Sequence, residues 1–240
     1  MEISSHAFTS RGCRENNEDA FAVSAIGNVW VVADGLGGHA SGEIASQTAA
    51  GYVIKTVEHT VSFPDNEIIS LILSANKVLV NKQKDNPAWN GMRTTIVAAF
   101  ASEGVLRYIH VGDSRFYYFK NNKIYIQSVD HSVSQMAVQF GEITPEQIRF
   151  HEDRNKLLKV LGGDEELNIR NVDGEIKMEE GDAFLLCTDG FWELIWEREM
   201  EIDLLKAFTP QVWLETMIAR ILPRLNRSSD NFTAVCCFIH

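Results

Sequence analysis

Hydrophobic residues follow two different periods along the chain, and the period changes in blocks. Residues 21–25 and 29–33 read as strands, and the second run is apolar without interruption, which is typical of a strand buried on both faces. From residue 42 to residue 58 the apolar positions recur at helical spacing, and the same spacing returns from Asn66 onward. The early chain is therefore predicted to run from strands into a pair of amphipathic helices.

The remainder of the chain repeats this order of strands followed by helices. Strands are predicted at residues 94–101, 105–111, 115–119, 123–128, 183–188 and 232–239, and helices at residues 199–208 and 211–225. Residues 130–163 are helical in pattern but broken by Gly141 and Pro145. This order predicts an α+β sandwich of two mostly antiparallel sheets with helices outside. No repeat or linker divides residues 1–240, so one domain is expected.

Composition and charge narrow the function classes. The 240 residues carry a formal charge of −11, which disfavours nucleic acid and anionic membrane surfaces as partners. No apolar run approaches the roughly 20 residues that span a bilayer, and the first residues lack a signal-peptide pattern, so a cytoplasmic location is expected. The cysteines Cys13, Cys187, Cys236 and Cys237 have no zinc-ligand spacing, which favours reduced thiols.

Acidic residues stand repeatedly at the ends of the predicted core strands. Asp34, Asp113 and Asp189 each follow an apolar strand, Asp230 precedes the last strand, and the pair Glu18-Asp19 precedes the first. Each one alone is ordinary turn chemistry. Collected at one edge of a sandwich, however, these carboxylates would repel one another unless cations neutralised them. Oxygen ligands of this kind select Mg²⁺ or Mn²⁺.

Two such ions side by side suit the hydrolysis of phosphate esters, because they activate water and neutralise the phosphate charge. A cationic side chain for the phosphate oxygens is then also expected. Arg14, four residues before Glu18, is the first candidate because a guanidinium matches two phosphate oxygens. Arg11 and Arg93 are alternatives, and the residues alone leave open that Arg14 is an ordinary surface charge.

Eight short motifs then carry a resemblance that covers essentially the whole chain. They are Arg14-Glu15-Asn16-Asn17-Glu18-Asp19, Val32-Ala33-Asp34-Gly35-Leu36-Gly37-Gly38-His39, Ser41-Gly42-Glu43-Ile44-Ala45-Ser46, His110-Val111-Gly112-Asp113-Ser114-Arg115, Asp130-His131-Ser132, Gly141-Glu142-Ile143-Thr144-Pro145, Thr188-Asp189-Gly190 and Asp230-Asn231-Phe232-Thr233. In this order they resemble the compact bacterial form of the metal-dependent Ser/Thr protein phosphatases of the 2C type. That resemblance implies an αββα sandwich, two Mn²⁺ or Mg²⁺ ions, and phosphoproteins of a cognate bacterial Ser/Thr kinase as substrates.

The resemblance also implies roles for individual residues. Asp34 would bridge both ions, with the carbonyl of Gly35 on the second ion. The first ion would be bound by Asp189 and Asp230. Glu18 and Asp19 would act mainly through metal-bound water. Asp113, with help from Asp189, would bind a weaker third ion, and Arg14 would bind the phosphate. A hydroxide bridging the two ions would attack phosphorus directly, so Arg14, Asp34 and Asp189 are the expected catalytic residues.

Two departures from the family pattern stand in the sequence. Arg93 replaces the family's glycine before Thr94-Thr95. It is either a tolerated substitution at an edge or a residue that perturbs the site or reaches into it. Leu36 occupies the position of the histidine that eukaryotic members use as general acid. His39 is a further candidate acid, although a turn or helix-start role is the alternative.

Other segments of the pattern carry their own expectations. Residues 133–163 would form a flap that selects substrate or, alternatively, a packed helical hairpin. The histidine of Asp130-His131-Ser132 is expected to stabilise its turn, and Cys187, within an apolar strand, to be a buried thiol rather than a nucleophile.

Two further hypotheses compete with a phosphatase. Residues 35–40 fit a dinucleotide-binding glycine pattern, but the alternating strand and helix order which that fold requires is missing. A pseudophosphatase that only binds would keep the fold and lose metal ligands. Since all principal carboxylates are present, Arg93 is the main reason to consider it.

Overall fold

Eleven strands and six α-helices are found in the computed structural model of the chain, which describes residues 1–37, 41–163 and 166–240. The strands are β1 Ile3–Ser10, β2 Asp19–Val23, β3 Val29–Leu36, β4 Arg93–Thr94, β5 Ile96–Ser102, β6 Val105–Val111, β7 Arg115–Lys120, β8 Lys123–Gln127, β9 Gly174–Lys177, β10 Ala183–Cys187 and β11 Phe232–Ile239. The helices are α1 Ser41–Val57, α2 Asp65–Asp85, α3 Val133–Gln139, α4 Asp189–Trp192, α5 Glu197–Lys206 and α6 Pro210–Ile221. Single 3₁₀ turns lie at Pro87–Trp89, Pro145–Phe150 and Leu222–Arg224.

The strands form two antiparallel sheets. The first sheet has the strand order β1-β11-β10-β7-β8, and the second has the order β2-β3-β5-β6-β9 with β4 added beside β3. Every paired neighbour runs antiparallel. The predicted α+β sandwich is therefore confirmed.

Three hydrophobic layers explain why the core strands are apolar throughout. Along β3, Trp30 and Val32 pack into the core between the two sheets, whereas Val29 and Val31 pack under α1 and α2. The third layer lies between the first sheet and α4, α5 and α6. Both faces of each central strand are thus removed from water, and each fully buried large apolar side chain contributes about 1.5–3 kcal/mol.

Strands β1 and β9, two of the four strands at the ends of the two sheet orders, were absent from the sequence prediction. Strand β1 forms one edge of the first sheet, and β9 forms one edge of the second. Their residues are mostly half-buried or exposed, with only Ile176 of these two strands fully buried. An edge strand needs apolar side chains on one face only, so it lacks the continuous apolar run that marks a central strand.

The helical pattern of residues 130–163 was only partly correct. Helix α3 ends at Gln139, and Gly141, with φ of 74°, donates its N–H to the carbonyl of Val138 in a left-handed cap. After the 3₁₀ turn the segment is irregular. The backbone bridge Ser132–Leu157 closes the segment on itself, and the bridge Thr94–Leu161 attaches it to β4. Within the described part of the chain, no helix has the length and apolar character needed to cross a membrane.

Candidate functional site

One cavity at the ends of the core strands collects the acidic residues that the sequence singled out. It has a volume of about 360 Å³. Its lining residues are Arg14, Asn16, Glu18, Asp34, Gly35, Leu36, Gly37, Asp113, Asn155, Leu157, Asp189, Asp230 and Asn231. All predicted site residues belong to this lining except Asp19, which lies behind it. The lining residues that had not been predicted as site residues are Asn16, Leu36, Gly37, Asn155, Leu157 and Asn231.

Asp34 lies near the end of β3, where two neighbouring threonines hold its backbone. The Asp34 N–H donates to Thr95 Oγ1 over 3.0 Å, and the Asp34 carbonyl accepts from Thr94 Oγ1 over 2.8 Å. Both threonines are fully buried. The backbone of Asp34 is thereby fixed while its carboxylate remains available to the cavity.

Gly35 allows two further segments to approach Asp34. A Cβ atom on Gly35 would lie 2.1 Å from the carbonyl oxygen of Gly42 and 2.5 Å from that of Glu18. The Gly35 N–H also donates to the Glu18 carbonyl over 3.1 Å. Only glycine permits this contact, so β3, the start of α1 and the Glu18 loop meet at the cavity through their backbones.

Asp19 lies on β2 directly opposite Asp34 in the second sheet. Its Oδ2 accepts a hydrogen bond of 2.9 Å from Thr188 Oγ1, which follows β10 of the first sheet. Its Oδ1 is buried without a hydrogen-bond partner. Burying a carboxylate oxygen without a partner costs folding free energy, so a bound cation or water is expected at this atom.

Asp189, the first residue of α4, follows β10, and Asp230 precedes β11, so both lie at the end of the first sheet. Gly190 brings them together, because a Cβ atom there would lie 2.0 Å from the Asn231 carbonyl oxygen and 3.4 Å from Asp230 Cβ. Asp189 Oδ1 is also buried without a partner. Asp230 Oδ2 accepts from Arg14 Nη2 over 2.8 Å, which places the predicted phosphate-binding arginine beside a predicted metal ligand.

Asn231 fastens the loop that carries Arg14 and Glu18. Its Nδ2 donates to the carbonyls of Arg11 and Asn16, each over 2.9 Å, and its Oδ1 accepts from the Glu18 N–H over 2.8 Å. One buried side chain thus satisfies three backbone groups of the loop. The sequence motif Asp230-Asn231 includes this residue, but the sequence did not predict its hydrogen bonds to the loop.

Asp113 follows the turn at Gly112, whose φ is 108°. A Cβ atom on Gly112 would lie 2.6 Å from Thr95 Cγ2, so the turn packs directly against the threonine whose hydroxyl accepts from the Asp34 N–H. The Asp113 carbonyl accepts from Trp192 Nε1 over 3.0 Å, and the Arg115 guanidinium stacks on the same indole at 3.4 Å. Trp192 therefore links Asp113, the residue expected to bind the third ion, to α4, which begins at Asp189.

Burial and mutual repulsion raise the pKa values of the cavity carboxyls. The pKa of Asp34 lies well above its ordinary value because the group is buried and faces the charge of Asp189. Burial, followed by the charge of Asp230, raises the pKa of Asp189 to about 6. Burial also raises the pKa of Asp19 to about 8 and that of Asp113 well above its ordinary range. Cations in the cavity would offset this repulsion and keep the carboxylates ionised.

The donor chemistry fits hard divalent ions. The donors are oxygens, and two of them, Asp19 Oδ1 and Asp189 Oδ1, are buried without a partner. Within residues 1–37, 41–163 and 166–240, no three His, Cys, Asp or Glu side chains already form a cage around one point. Asp34, Asp189 and Asp230, the three carboxylates expected on the first ion, thus do not surround one point by themselves, so their side chains would have to turn toward a bound ion and water would complete its shell.

The segment predicted as a flap forms one wall of the cavity through Asn155 and Leu157. Next to them, Arg154 Nε donates to Glu193 Oε1 over 2.9 Å. The segment also packs inward, since Ile148 is buried and Arg149 Nη2 pairs with Glu197 Oε1 over 2.7 Å. It is therefore a partly packed wall of the site and not a regular helical hairpin.

Arg93 and Leu36, the two departures from the family pattern, lie in different surroundings. Arg93 is an exposed residue of β4, paired with Leu36, and is not among the described residues that line the cavity. This agrees with a tolerated edge substitution. Leu36 does line the cavity, whereas Gly38, His39 and Ala40 lie outside the described residues, so the alternatives for His39 stay predictions.

The remaining side chains behave as structural groups. His131 Nδ1 accepts from the Gly112 N–H over 3.3 Å, and its ring stacks on His110 at 4.5 Å, so it ties the Asp130-His131-Ser132 turn to the Asp113 turn. Burial raises the pKa of the Cys187 thiol far above neutrality, as expected for an unreactive cysteine. Strand β3 pairs antiparallel with both neighbours in its sheet, so the dinucleotide-binding arrangement is excluded.

Comparison with known proteins agrees with this geometry. The sequence profile of the family described as Protein phosphatase 2C matches residues 11–228. The serine/threonine phosphatase stp of Listeria welshimeri is 33% identical over 208 residues, which are 83% of this chain and 81% of the relative. The crystal structure of Stp1 from Staphylococcus aureus matches 100% of this chain and 96% of its own, with a TM-score of 0.89 and 29% identity.

A further solved structure bears on the ions. The catalytic domain of the phosphatase PstP, in complex with two manganese ions, has a TM-score of 0.84 and 25% identity and covers 99% of both chains. The chain therefore belongs to the protein phosphatase 2C family. It is a metal-dependent Ser/Thr phosphatase, which confirms the family, fold and enzyme class expected from the sequence.

Proposed function

We propose that the cavity is the active centre in which phosphoserine and phosphothreonine side chains of proteins lose their phosphate. Asp34 would hold both ions, the Gly35 carbonyl would serve the second, and Asp189 with Asp230 the first. Glu18 and Asp19 would act through water. The observation that carries this proposal is the convergence of Glu18, Asp34, Gly35, Asp189 and Asp230, from separate segments, on one cavity. Asp189 in its lining and Asp19 outside the lining each have a buried carboxylate oxygen without a partner.

Two Mn²⁺ or Mg²⁺ ions, when bound, supply the activated water and the charge neutralisation that phosphate hydrolysis requires. Asp113, with Asp189, would hold a weaker third ion. Arg14 lies at the mouth of the cavity, with its side chain 52% exposed, and would donate two N–H groups to phosphate oxygens.

Leu36 supplies no proton, and no histidine is among the described residues that line the cavity. Among the described residues, solvent in the cavity is therefore the proton source for the leaving serine or threonine oxygen, and His39 stays the alternative acid.

The protein partners and the cellular setting belong to the same proposal. Phosphoproteins of a cognate bacterial Ser/Thr kinase would be the substrates, and the segment at about 133–163 would select among them because it forms a cavity wall. Residues 1–240 would act as one catalytic domain. The three buried free thiols Cys187, Cys236 and Cys237 favour a reducing, cytoplasmic setting. A purely binding pseudophosphatase is disfavoured because all the principal carboxylates are in place.

Phosphate release from a phosphothreonine peptide tests this function. Activity with Mn²⁺ that disappears with excess EDTA is expected. Asp34→Asn should abolish turnover and leave the circular dichroism spectrum unchanged, whereas a folded wild-type protein without activity at any Mn²⁺ concentration would support the pseudophosphatase.

A further inference from the structure

Asp19 is the one predicted site residue that the cavity wall does not include, and its environment differs from that of the others. It is 6% exposed and belongs to the second sheet, whereas its hydrogen-bond donor, Thr188, follows β10 in the first sheet. This contact therefore joins the two sheets beside two carboxylates proposed to bind the ions, because Asp19 is paired with Asp34 and Thr188 directly precedes Asp189.

The hydrogen bonds around Thr188 determine the direction of its single proton. Thr188 Oγ1 accepts from the Thr233 N–H over 3.0 Å and lies 2.9 Å from Asp19 Oδ2. Because Asp19 Oδ2 is the only acceptor recorded for this hydroxyl among the described residues, the proton points at it. Both threonines are fully buried, so water does not compete for these positions.

The two oxygens of Asp19 are consequently different. Oδ2 accepts from Thr188, and Oδ1 is buried without a hydrogen-bond partner. Burial raises the pKa of Asp19, and the nearby Thr233 hydroxyl, which lies 2.7 Å from Thr9 Oγ1, lowers it in part. A carboxylate held at one oxygen keeps a defined rotamer, which leaves the other oxygen as a fixed acceptor. Groups that orient the surroundings of a metal in this way typically change its affinity by about 10–100-fold when they are lost.

We propose that Thr188 is a positioning residue for the metal centre, which holds Asp19 by Oδ2 so that Oδ1 serves the hydration shell of the bound ions. The inference rests on the proposed function, because it assigns Asp19 an indirect role in binding the ions. Thr188 is not among the described residues that line the cavity, so its hydroxyl would act through Asp19 and not on substrate or ion.

Calorimetric titration of Mn²⁺ into wild type, Thr188→Val and Thr188→Ser tests this proposal. Valine keeps the shape and removes the hydroxyl, and we expect it to weaken Mn²⁺ binding by about 10-fold or more. Serine keeps the hydroxyl and should bind Mn²⁺ nearly as wild type does. At saturating Mn²⁺ the KM for a phosphothreonine peptide should stay the same in all three proteins.

Control variants separate this role from general stability. Thr56→Val removes an exposed threonine hydroxyl on α1 and should change nothing. In an Asp19→Asn background Thr188→Val should cause no further loss of Mn²⁺ affinity, because the hydroxyl acts through Asp19. Should Thr188→Val not fold, Thr188→Cys keeps a similar volume with a much weaker donor and is expected to show the same direction of change.

Unaltered Mn²⁺ affinity in folded Thr188→Val would overturn the inference, and so would a loss in Thr188→Ser equal to that in the valine variant. A full additional loss in the Asp19→Asn background would do the same. If wild type itself binds no Mn²⁺, the proposed function fails instead, so the two failures are distinguishable.

Discussion

Arg14 Nη2 donates to Asp230 Oδ2 over 2.8 Å, so the proposed phosphate-binding guanidinium and a proposed metal carboxylate contact each other directly. The pair is about half exposed, and its own contribution to stability is therefore small. Its consequence is positional, because Asp230 holds the guanidinium at the cavity mouth where a phosphate would enter.

Replacing Arg14 by alanine is expected to raise the KM for a phosphothreonine peptide by about 10-fold or more, since charged hydrogen bonds contribute about 1.5–3 kcal/mol. Arg14→Lys should recover only part of this loss, because lysine lacks the two-pronged geometry. Steady-state kinetics at saturating Mn²⁺ would show it. A change in kcat alone would instead indicate that Arg14 acts on the metal ligand and not on phosphate.

Gly35→Ala is expected to destabilise the fold by about 2–3 kcal/mol through overpacking, because its Cβ would lie 2.1 Å from the Gly42 carbonyl oxygen. Activity should fall with it, since the same contact sets the Glu18 loop. The matched control is Gly51→Ala in the exposed part of α1, where a Cβ meets nothing within 4 Å. That change should stabilise by about 0.5–1 kcal/mol. Urea unfolding measures both, and equal effects would contradict the close packing at Gly35.

Asn231→Ala should loosen the loop that carries Arg14 and Glu18. It removes two donors and one acceptor, which leaves the Asn16 carbonyl and the Glu18 N–H without partners, while the Arg11 carbonyl keeps the N–H of Arg14. We expect about 1–3 kcal/mol of destabilisation together with a higher Mn²⁺ requirement. The control, Asn66→Ala on the exposed side of α2, should change neither thermal stability nor Mn²⁺ dependence. A normal Mn²⁺ requirement in Asn231→Ala would show that the loop holds its position without the asparagine.

Metal removal should make stability depend on pH. Burial raises the pKa of Asp189 to about 6 and that of Asp19 to about 8 in the folded protein, whereas aspartates in an unfolded chain titrate near about 4. The folded state then binds more protons than the unfolded state between these values. The contribution of these two groups to the free energy of unfolding is therefore fully present below about pH 4 and is lost as the pH rises through about 6 to 8.

In thermal denaturation with EDTA, we expect the Tm to fall from about pH 5 to about pH 8, and we expect Mn²⁺ to raise the Tm more at the higher pH. Asp189→Asn should flatten the pH dependence seen in EDTA. An equal Mn²⁺ effect at both pH values would contradict the assignment of these carboxyls to the ions.

Asn155→Asp tests the contribution of the segment at 133–163 to substrate binding. Asn155 is an exposed residue of the cavity wall, so a new negative charge there should repel an incoming phosphate and raise KM about 3–10-fold. The increase should shrink at high ionic strength. Asn66→Asp adds the same charge on α2 and should leave KM unchanged, and an identical effect of both variants would point to net charge alone.

The central elements of this fold could be predicted because their residues repeat a local period. The uninterrupted apolar run in β3 and the helical spacing of apolar residues in α1 each follow from which side chains of that element are buried. The carboxylates were recognisable for a similar reason, since they follow apolar strands directly. The edge strands β1 and β9 carry a weaker pattern because only one of their faces is covered.

Contacts between distant residues were decided by the tertiary structure alone. Thr188 and Asp19 are separated by 169 positions, and Asn231 reaches Arg11 across 220. Neither partner signals the other locally, because hydrogen bonds of this kind depend on how two sheets stack. Asn155 likewise became part of the site only because an irregular segment folds back against the body.

The sequence by itself therefore determined the sandwich, its family and the carboxylate set, since these depend on burial period and on short motifs. Only the tertiary structure decided which oxygen of Asp19 stays free and which side chains hold the site in place. Those features arise from directional contacts between segments that are far apart along the chain.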